Sequence, residues 1–291
     1  MSKILNFGSL NIDYVYKVEH FVSAGETLSS DSLTVNCGGK GLNQSIAAAK
    51  AGAQVFHAGT IGADGQMLAD ILNENGVDTR YLYRCDSPNG NAIIQVDRTG
   101  QNCILLFAGS NHKITEKQVD ETLENFGEND YLFLQNEINL IPYIMERAAQ
   151  RGIKIVFNPS PITENIKDYP IGKAHLLILN EIEGAALGGD GDADKILDAL
   201  REKYPNTNIL LTLGSDGSVY FDGKNKIKQG IYKVKAVDTT AAGDTMMGYF
   251  AAGLAAGKEP SEALDTAAKA SSITVSRAGA AVSIPTVDEL K

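Results

Sequence analysis

The stretch Tyr131-Leu132-Phe133-Leu134-Gln135-Asn136-Glu137 opens a unit that repeats along the chain. An apolar run ends in a polar turn. A helical stretch follows from Leu140 to Gln150, and then a second apolar run, Lys154-Ile155-Val156-Phe157. Short, continuously apolar runs suit strands covered on both faces. The alternation extends outward in both directions. A helix over Thr115–Phe126 is expected before the strand Tyr131–Leu134. A strand over His175–Leu179 leads into a helix near Glu181–Leu187, and a helix over Ala193–Lys203 precedes a strand over Ile209–Leu213. Strands that alternate with helices predict a mostly parallel sheet with helices on both faces, a three-layer α/β/α architecture. Strands at Ser218–Phe221 and Lys226–Gln229, a strand-like charged segment from Tyr232 to Val237, and helices over Thr245–Gly257 and Ser261–Ser276 complete the chain.

The first third reads differently. Lys3 to Gly8 is a buried strand ending in glycine. Asn11–Val18 alternates, with Ile12, Tyr14, Tyr16 and Val18 on one face and Asn11, Asp13, Val15 and Lys17 on the other. Ser30–Asn36 is similar, and Asn91–Asp97 and Asn102–Phe107 flank the hairpin signal Arg98-Thr99-Gly100-Gln101. Between them lie an alanine-rich helix from Leu42 to Ala51, a strand over Gln54–Ala58, and a helix over Asp64–Asn75 stopped by Gly76. The alternating strands predict a small sheet at the edge of the main one, contributed by residues of about 11–36 and 89–108. It would act as a lid over the carboxyl ends of the parallel strands, or bury its face in a dimer. No linker divides the chain, so residues 1–291 read as one domain with a discontinuous lid.

A formal net charge of −10 with no Lys/Arg-rich block argues against nucleic acid or an anionic membrane as partner. No apolar stretch is long enough to span a bilayer, and the polar start of the chain does not read as a signal peptide. Cys37, Cys85 and Cys103 form no CxxC pair and fit reduced thiols in a cytoplasm.

Polar motifs recur where strands end. Val237-Asp238-Thr239-Thr240-Ala241-Ala242-Gly243-Asp244-Thr245 runs into a helix. Its tiny residues let backbone amides crowd an anion at the helix N-terminus. Asp244 there reads equally as an N-cap and as a catalytic base. Gly38-Gly39-Lys40-Gly41 is not a Walker A loop, because Thr34 stands where that motif needs glycine and Gly41 where it needs Ser or Thr. It is a tight turn, or a loop whose Lys40 and Asn43 bond a polar ligand. Asn11 and Asp13 share a strand face, and Glu137 follows a strand; solvated polar groups and ligands for hydroxyls are both open. Asn158-Pro159-Ser160-Pro161 suits a rigid turn. Glu183, in Asn180-Glu181-Ile182-Glu183, suits a helix cap or a Mg²⁺ ion held through water. Gly214-Ser215-Asp216-Gly217 suits a phosphate cradle and a plain hairpin equally. Asp190, Asp192 and Asp194 alternate as in a calcium loop, but Lys195 and Arg201 fall at its sixth and twelfth positions, so a solvated acidic loop is expected.

Two signatures about 200 residues apart settle the pattern: Gly38-Gly39-Lys40-Gly41-Leu42-Asn43-Gln44 and Asp238-Thr239-Thr240-Ala241-Ala242-Gly243-Asp244-Thr245. With them the chain resembles the ribokinase-like (PfkB) carbohydrate kinase family over nearly its whole length, from Gly8-Ser9-Leu10-Asn11-Ile12-Asp13 to Ile284-Pro285. The resemblance implies ATP-dependent phosphorylation of the primary hydroxyl of a pentose, D-ribose foremost. Another sugar, a nucleoside, or a catalytically silent sugar-binding protein are the alternatives. It implies ATP, Mg²⁺ and K⁺ as cofactors, and a homodimer through the lid. Asp244 would be the base, and the amides of Ala241, Ala242 and Gly243 the anion hole. Asn11, Asp13, Gly39, Lys40, Asn43 and Glu137 would bind the sugar. Asn180, Thr212, Gly214, Ser215, Gly217 and Gly243 would serve the nucleotide and Glu183 the Mg²⁺. Asp238, Thr240, Thr274, Arg277, Gly279 and Ser283 would hold K⁺, largely through backbone oxygens. The chain departs from the family pattern at Met246-Met247, at Asn91, and in Thr266-Ala267-Ala268-Lys269, which lacks the Asn or His often found in the last long helix.

Overall fold

A computed structural model describes residues 2–291. The strands are β1 (Lys3–Phe7), β2 (Asn11–Lys17), β3 (Ser32–Gly38), β4 (Gln54–Ile61), β5 (Asp78–Arg84), β6 (Gly90–Val96), β7 (Asn102–Phe107), β8 (Tyr131–Gln135), β9 (Lys154–Asn158), β10 (Leu176–Asn180), β11 (Asn208–Thr212), β12 (Ser218–Phe221) and β13 (Lys226–Gln229). The helices are α1 (Lys40–Lys50), α2 (Gln66–Glu74), α3 (Glu116–Leu123), α4 (Ile141–Gln150), α5 (Glu181–Gly188), α6 (Ala193–Lys203), α7 (Ala242–Ala255) and α8 (Pro260–Val275).

Nine strands form one sheet in the order β13-β12-β11-β10-β9-β8-β1-β4-β5. From β11 to β5 every neighbouring pair is parallel, and β12 and β13 add antiparallel at one edge. Successive residues of β1 feed opposite faces. Ile4 packs with Leu42, Ile46, Leu68 and Phe250 from α1, α2 and α7; Leu5 and Phe7 pack with Val119, Ile144 and Ile196 from α3, α4 and α6. A sheet with two such cores on either side is the three-layer α/β/α architecture expected from the alternation. No helix among the described residues is long and apolar enough to cross a membrane.

The other four strands make the separate small sheet that the alternation predicts, in the order β3-β2-β6-β7. Only Gly8, Ser9 and Leu10 separate β1 from β2, so this sheet starts at the carboxyl end of a central strand. It carries exposed apolar side chains, including Leu33, Val35, Ile93, Ile104, Leu105, Leu106 and Phe107.

Three expectations need correction. The strand β5 lies at the edge of the main sheet and was not foreseen, because its sequence mixes Arg80 and Arg84 with half-buried tyrosines. Tyr232–Val237 forms no strand: it is exposed and joins no ladder, its backbone contact being the Val237 amide donating to Val275 O at 2.8 Å, so alternation without a neighbouring strand leaves it irregular. Helix α7 begins at Ala242, three residues before Thr245, with Ala241 as its N-cap. Asp244 therefore sits inside the first turn and makes no cap hydrogen bond.

Candidate active site

The site is built where β1, β8, β10 and β11 end and α1, α5 and α7 begin. The first wall is α1. Gly39 precedes it with φ of 98°, and a Cβ there would stand 2.9 Å from the Ser9 carbonyl oxygen; at Gly41 a Cβ would stand 2.4 Å from the Ser9 amide nitrogen. The helix start thus lies against the Gly8–Leu10 backbone, and the Leu42 amide donates to Ser9 O at 3.0 Å. Glu137, just past β8, reaches this N-terminus. Its Oε2 accepts from the Lys40 amide at 3.2 Å and from the Ser9 hydroxyl. A carboxylate at a helix N-terminus is favoured by the dipole, yet burial outweighs Lys40, Ser9 and the dipole, and Glu137 is pushed above the usual carboxylate range.

The second wall is the α7 N-terminus. Ala241 takes a left-handed conformation with φ of 62°, unusual for a residue with a Cβ. The first helical bond is from the Thr245 amide to Ala241 O at 2.8 Å, so the Gly243 and Asp244 amides have no acceptor within the helix. The Ala242 amide, expected to face an anion, instead donates to Thr239 O at 3.3 Å. Asp244 is 9% exposed. Its Oδ2 accepts from Asn43 Nδ2 at 3.0 Å and its Oδ1 from Gln44 Nε2 at 2.9 Å. Both donors come from α1, so the two signatures meet directly.

The third element is α5, capped reciprocally: Glu183 N donates to Asn180 Oδ1 at 2.9 Å, and Asn180 N donates to Glu183 Oε2 at 3.0 Å. A cavity of about 270 Å³ lies between these walls. Lys40, Asn180, Glu183, Thr212, Ala241, Ala242, Gly243 and Asp244 line it, together with Met247. Burial pulls the Lys40 ammonium down, but Asp244, Glu137 and Glu183 outweigh it and hold the group above its ordinary value.

A second cavity of about 180 Å³ lies under the small sheet, lined by Asn11, Leu106, Phe107, Asn111, His112 and Glu137 among others. Asn111 Nδ2 donates to Asn11 Oδ1 at 2.8 Å and fixes its direction. Asp13 rests against Gly38, where a Cβ would fall 2.0 Å from its Oδ2. Burial, and then the neighbouring Glu137 carboxylate, push Asp13 up to about 7.

The remaining residues separate into two places. Gly214, Ser215 and Gly217 are not in the main cavity; they form the hairpin between β11 and β12, where a Cβ at Gly217 would meet Gln229 O at 2.1 Å. Asp238, Thr240 and Gly279 come together beside α7. Asp238 accepts from the amides of Thr240 at 2.9 Å and Gly279 at 3.0 Å. Burial raises this carboxylate, but those hydrogen bonds prevail and leave it below its ordinary value. Thr274 Oγ1 lies 3.1 Å from Thr245 Oγ1 and donates to Ala270 O, Arg277 pairs with Glu289, and Ser283 Oγ donates to Ala280 O.

No group of three or more His, Cys, Asp or Glu residues suited to a metal ion occurs among the described residues. Mg²⁺ keeps several waters and binds through one or two carboxylates plus phosphate oxygens. The single buried carboxylate of Glu183, with one oxygen left by its cap, fits that mode. The Asp192 side chain caps α6, as suits a solvated acidic loop. Gln44, Ser9, Asn111 and Met247 belong to the site although sequence reasoning gave them no role. Gln44 stands inside the first signature, Ser9 in the Gly8–Asp13 stretch and Met247 in the Met246-Met247 departure, whereas Asn111 carried no signal.

The pfkB family carbohydrate kinase model matches residues 1–287. The chain is 34% identical to the ribokinase of Haemophilus influenzae, over 97% of this chain and 95% of that one. Its fold is similar to the crystal structure of ribokinase from Cryptococcus neoformans in complex with ADP, with TM-score 0.88 and 35% identity, covering 100% of this chain and 99% of the other. It is also similar to Arabidopsis thaliana ribokinase complexed with ribose and ATP, with TM-score 0.88 and 28% identity, covering 100% and 98%.

Proposed function

The chain belongs to the pfkB family of carbohydrate kinases and is a ribokinase-like phosphotransferase; from that premise we propose that it transfers the γ-phosphoryl group of ATP to the primary hydroxyl of D-ribose. The observation that carries this reading is Asp244. Its buried carboxylate is aimed from both oxygens by amide donors and opens on a cavity shared with Lys40 and with the free first-turn amides of α7.

Phosphoryl transfer depends mostly on positioning and on stabilising charge. Asp244 accepts the proton of the acceptor hydroxyl as the oxygen attacks. The Gly243 and Asp244 amides receive the charge that develops on the transferring group, and the Ala242 amide joins them by releasing Thr239. Asn11, Asp13, Gly39, Asn43 and Glu137 hold the sugar hydroxyls. Lys40 reaches between sugar and phosphate, and Asn180, Glu183 and Thr212 line the nucleotide side, with Gly214, Ser215 and Gly217 toward its far end. Glu183 would hold a Mg²⁺ ion, which would supply positive charge to the phosphates. Asp238, Thr240 and Gly279, with Thr274, Arg277 and Ser283, would hold K⁺, whose charge would steady the start of α7. The small sheet acts as a lid over the sugar and as a homodimer contact through its apolar face, in a cytoplasmic enzyme.

The test is ADP release by the purified protein with ATP and Mg²⁺ on adding D-ribose, against a panel of 2-deoxyribose, fructose, fructose 6-phosphate and adenosine. D-ribose should give the highest kcat/KM. Good turnover of another member with none of D-ribose overturns the substrate. Asp244→Asn should abolish turnover and leave ribose binding measurable by calorimetry; a near-normal kcat overturns the base.

A further inference from the structure

A buried chain of hydrogen bonds runs from His57 to Asp244. His57 Nε2 lies 3.2 Å from Gly8 O, and its Nδ1 lies 2.8 Å from Ser45 Oγ. Asn6 Nδ2 donates to Ser45 Oγ at 2.9 Å. Gln135 Nε2 donates to Asn6 Oδ1 at 3.0 Å and to Gln44 Oε1 at 2.6 Å. Gln44 Nε2 ends the chain at Asp244 Oδ1, 2.9 Å away. Asn6, Gln44, Ser45, His57 and Gln135 are each 1% exposed or less, so water does not replace a lost partner.

The chain has only one consistent direction. A carbonyl oxygen can only accept, so Gly8 O places the ring proton on Nε2. Burial drives His57 down to about 4, so at neutral pH its Nδ1 is a bare acceptor. Ser45 must then donate its hydroxyl proton to His57 and accept from Asn6. That leaves Asn6 Oδ1 facing Gln135, whose amide nitrogen serves both Asn6 and Gln44. With Oε1 held by Gln135, Gln44 has only N–H groups to offer Asp244. Flipping Gln44 would set an oxygen against the carboxylate and an NH₂ against the Gln135 NH₂.

We propose that Gln44 is the positioning residue for the base, its donor direction imposed through Gln135 by Asn6, which the Gly41 carbonyl (accepting from Asn6 Nδ2 at 2.8 Å) and the His57–Ser45 pair both orient the same way. The proposal rests on the reading of Asp244 as the base. Gln44 lines neither cavity, so it acts only through Asp244. Asn43 holds the other carboxylate oxygen, and together the two amides fix the plane of the carboxylate while leaving a lone pair for the acceptor hydroxyl.

Gln44→Leu keeps the size and removes the donor. Its kcat for the preferred sugar should fall by about 10²-fold, the cost of a misplaced reacting group, while KM and sugar affinity by calorimetry change little. Gln135→Leu frees the Gln44 amide and should lower kcat in the same direction. The double variant should be no worse than Gln44→Leu, because Gln135 acts through Gln44. Gln44→Glu gives a second readout. The ionisable group in contact with it is Asp244, which in turn acts on Lys40 and Glu137. Its carboxyl can donate to Asp244 only while protonated, so kcat should acquire an alkaline loss absent from the wild type. If Gln44→Leu does not fold, this pH profile decides alone. A wild-type kcat in a folded Gln44→Leu, strictly additive losses in the double variant, or an unchanged profile in Gln44→Glu each overturn the proposal. Asp244→Asn run alongside separates this from failure of the base itself: an active Asp244→Asn overturns the base, whereas an inactive one with a silent Gln44→Leu overturns only the chain.

Discussion

Removing the charge of Asp13 should stabilise the ligand-free enzyme while damaging its sugar site. The Asp13 carboxyl, ordinarily near 3.8, is pushed up to about 7, first by burial and then by Glu137. The unfolded chain ionises this group at the lower value. Between the two values the unfolded state holds fewer protons than the folded one, so stability falls as pH rises through the interval and levels off above about 7. At about 1.4 kcal/mol for each pH unit, the full loss is ~4 kcal/mol. Asp13→Asn keeps the shape and escapes the titration. Its advantage over the wild type should grow by ~2.5 kcal/mol between about pH 5 and about pH 8, corresponding to a melting-point gain on the order of 5 °C. His57 works in the opposite sense: held neutral by burial, it costs stability as pH falls from 6.5 toward about 4. It is present in both proteins and cancels in the difference. The assay is urea unfolding of both proteins without ligand across this range. In the same variant the sugar KM should rise by about 10-fold to 100-fold, the loss of a hydrogen bond to a charged group. A stability difference that does not vary with pH, or an Asp13→Asn protein less stable at about pH 8, would refute the reasoning.

Three further changes probe other parts of the site. In Gly243→Ala the new methyl meets no protein atom within 4 Å, so the melting point should hold or rise slightly, since alanine favours helix; kcat should fall at least about 10-fold if that open space is where the proposed anion hole takes the phosphoryl group, and unchanged kinetics would remove Gly243 from the anion hole. Asp238→Ala removes the acceptor that ties Thr240 to Gly279; the ratio of kcat in K⁺ to kcat in Na⁺ should collapse toward one, and a preserved ratio would move the cation site elsewhere. Leu105 is 67% exposed on the edge strand β7, and Leu105→Glu should shift sedimentation from dimer to monomer; an unshifted dimer would rule out this strand as the contact.

Much of the fold was legible because burial writes itself into composition. Tyr131–Gln135 and Lys154–Asn158 are covered on both faces, so their apolar runs are unbroken and the polar residues that end them stand out. The ends of β8, β10 and β11 carry Glu137, Asn180 and Thr212, which is why the site's outline could be read along one dimension. Where a strand sits at an edge the signal fades. In β5, Asp78 and Arg80 pair with each other in solvent while Tyr81 packs on Phe56 and Phe126, so neither alternation nor an apolar run appears. Tyr232–Val237 errs the other way, since a strand needs a neighbour's backbone groups and no side-chain pattern guarantees one. The direction of the Gln44 amide was beyond sequence altogether. It follows from Gln135 and Asn6, with Gly41 O and the His57–Ser45 pair behind them, and only the register of β1 against β4 and β8 brings these groups together.

The charges of the site bear on the acceptor it can take. Asp244, Glu137 and Glu183 act on a single ammonium, that of Lys40, and a fourth carboxyl, Asp13, lies beside Glu137. One positive charge cannot neutralise four carboxylates, and in a buried site the remainder is only weakly screened. The site relieves part of it by keeping Asp13 and Glu137 protonated more readily than usual. A sugar relieves more without adding charge, because its hydroxyls donate to those carboxylates as the amides of Asn43 and Gln44 already do for Asp244. A phosphorylated sugar would bring two further negative charges beside Asp13 and Glu137, where the small sheet sends no lysine or arginine into the lining of the smaller cavity. The same repulsion acts on the nucleotide side, where the first-turn amides of α7 and the cation that Glu183 can hold are the available counterweights. An uncharged acceptor meeting a metal-bound nucleotide is the pairing this electrostatic arrangement favours, and fructose 6-phosphate in the acceptor panel tests it: turnover comparable to that of D-ribose would mean that positive charge reaches the sugar side from residues outside the two cavities.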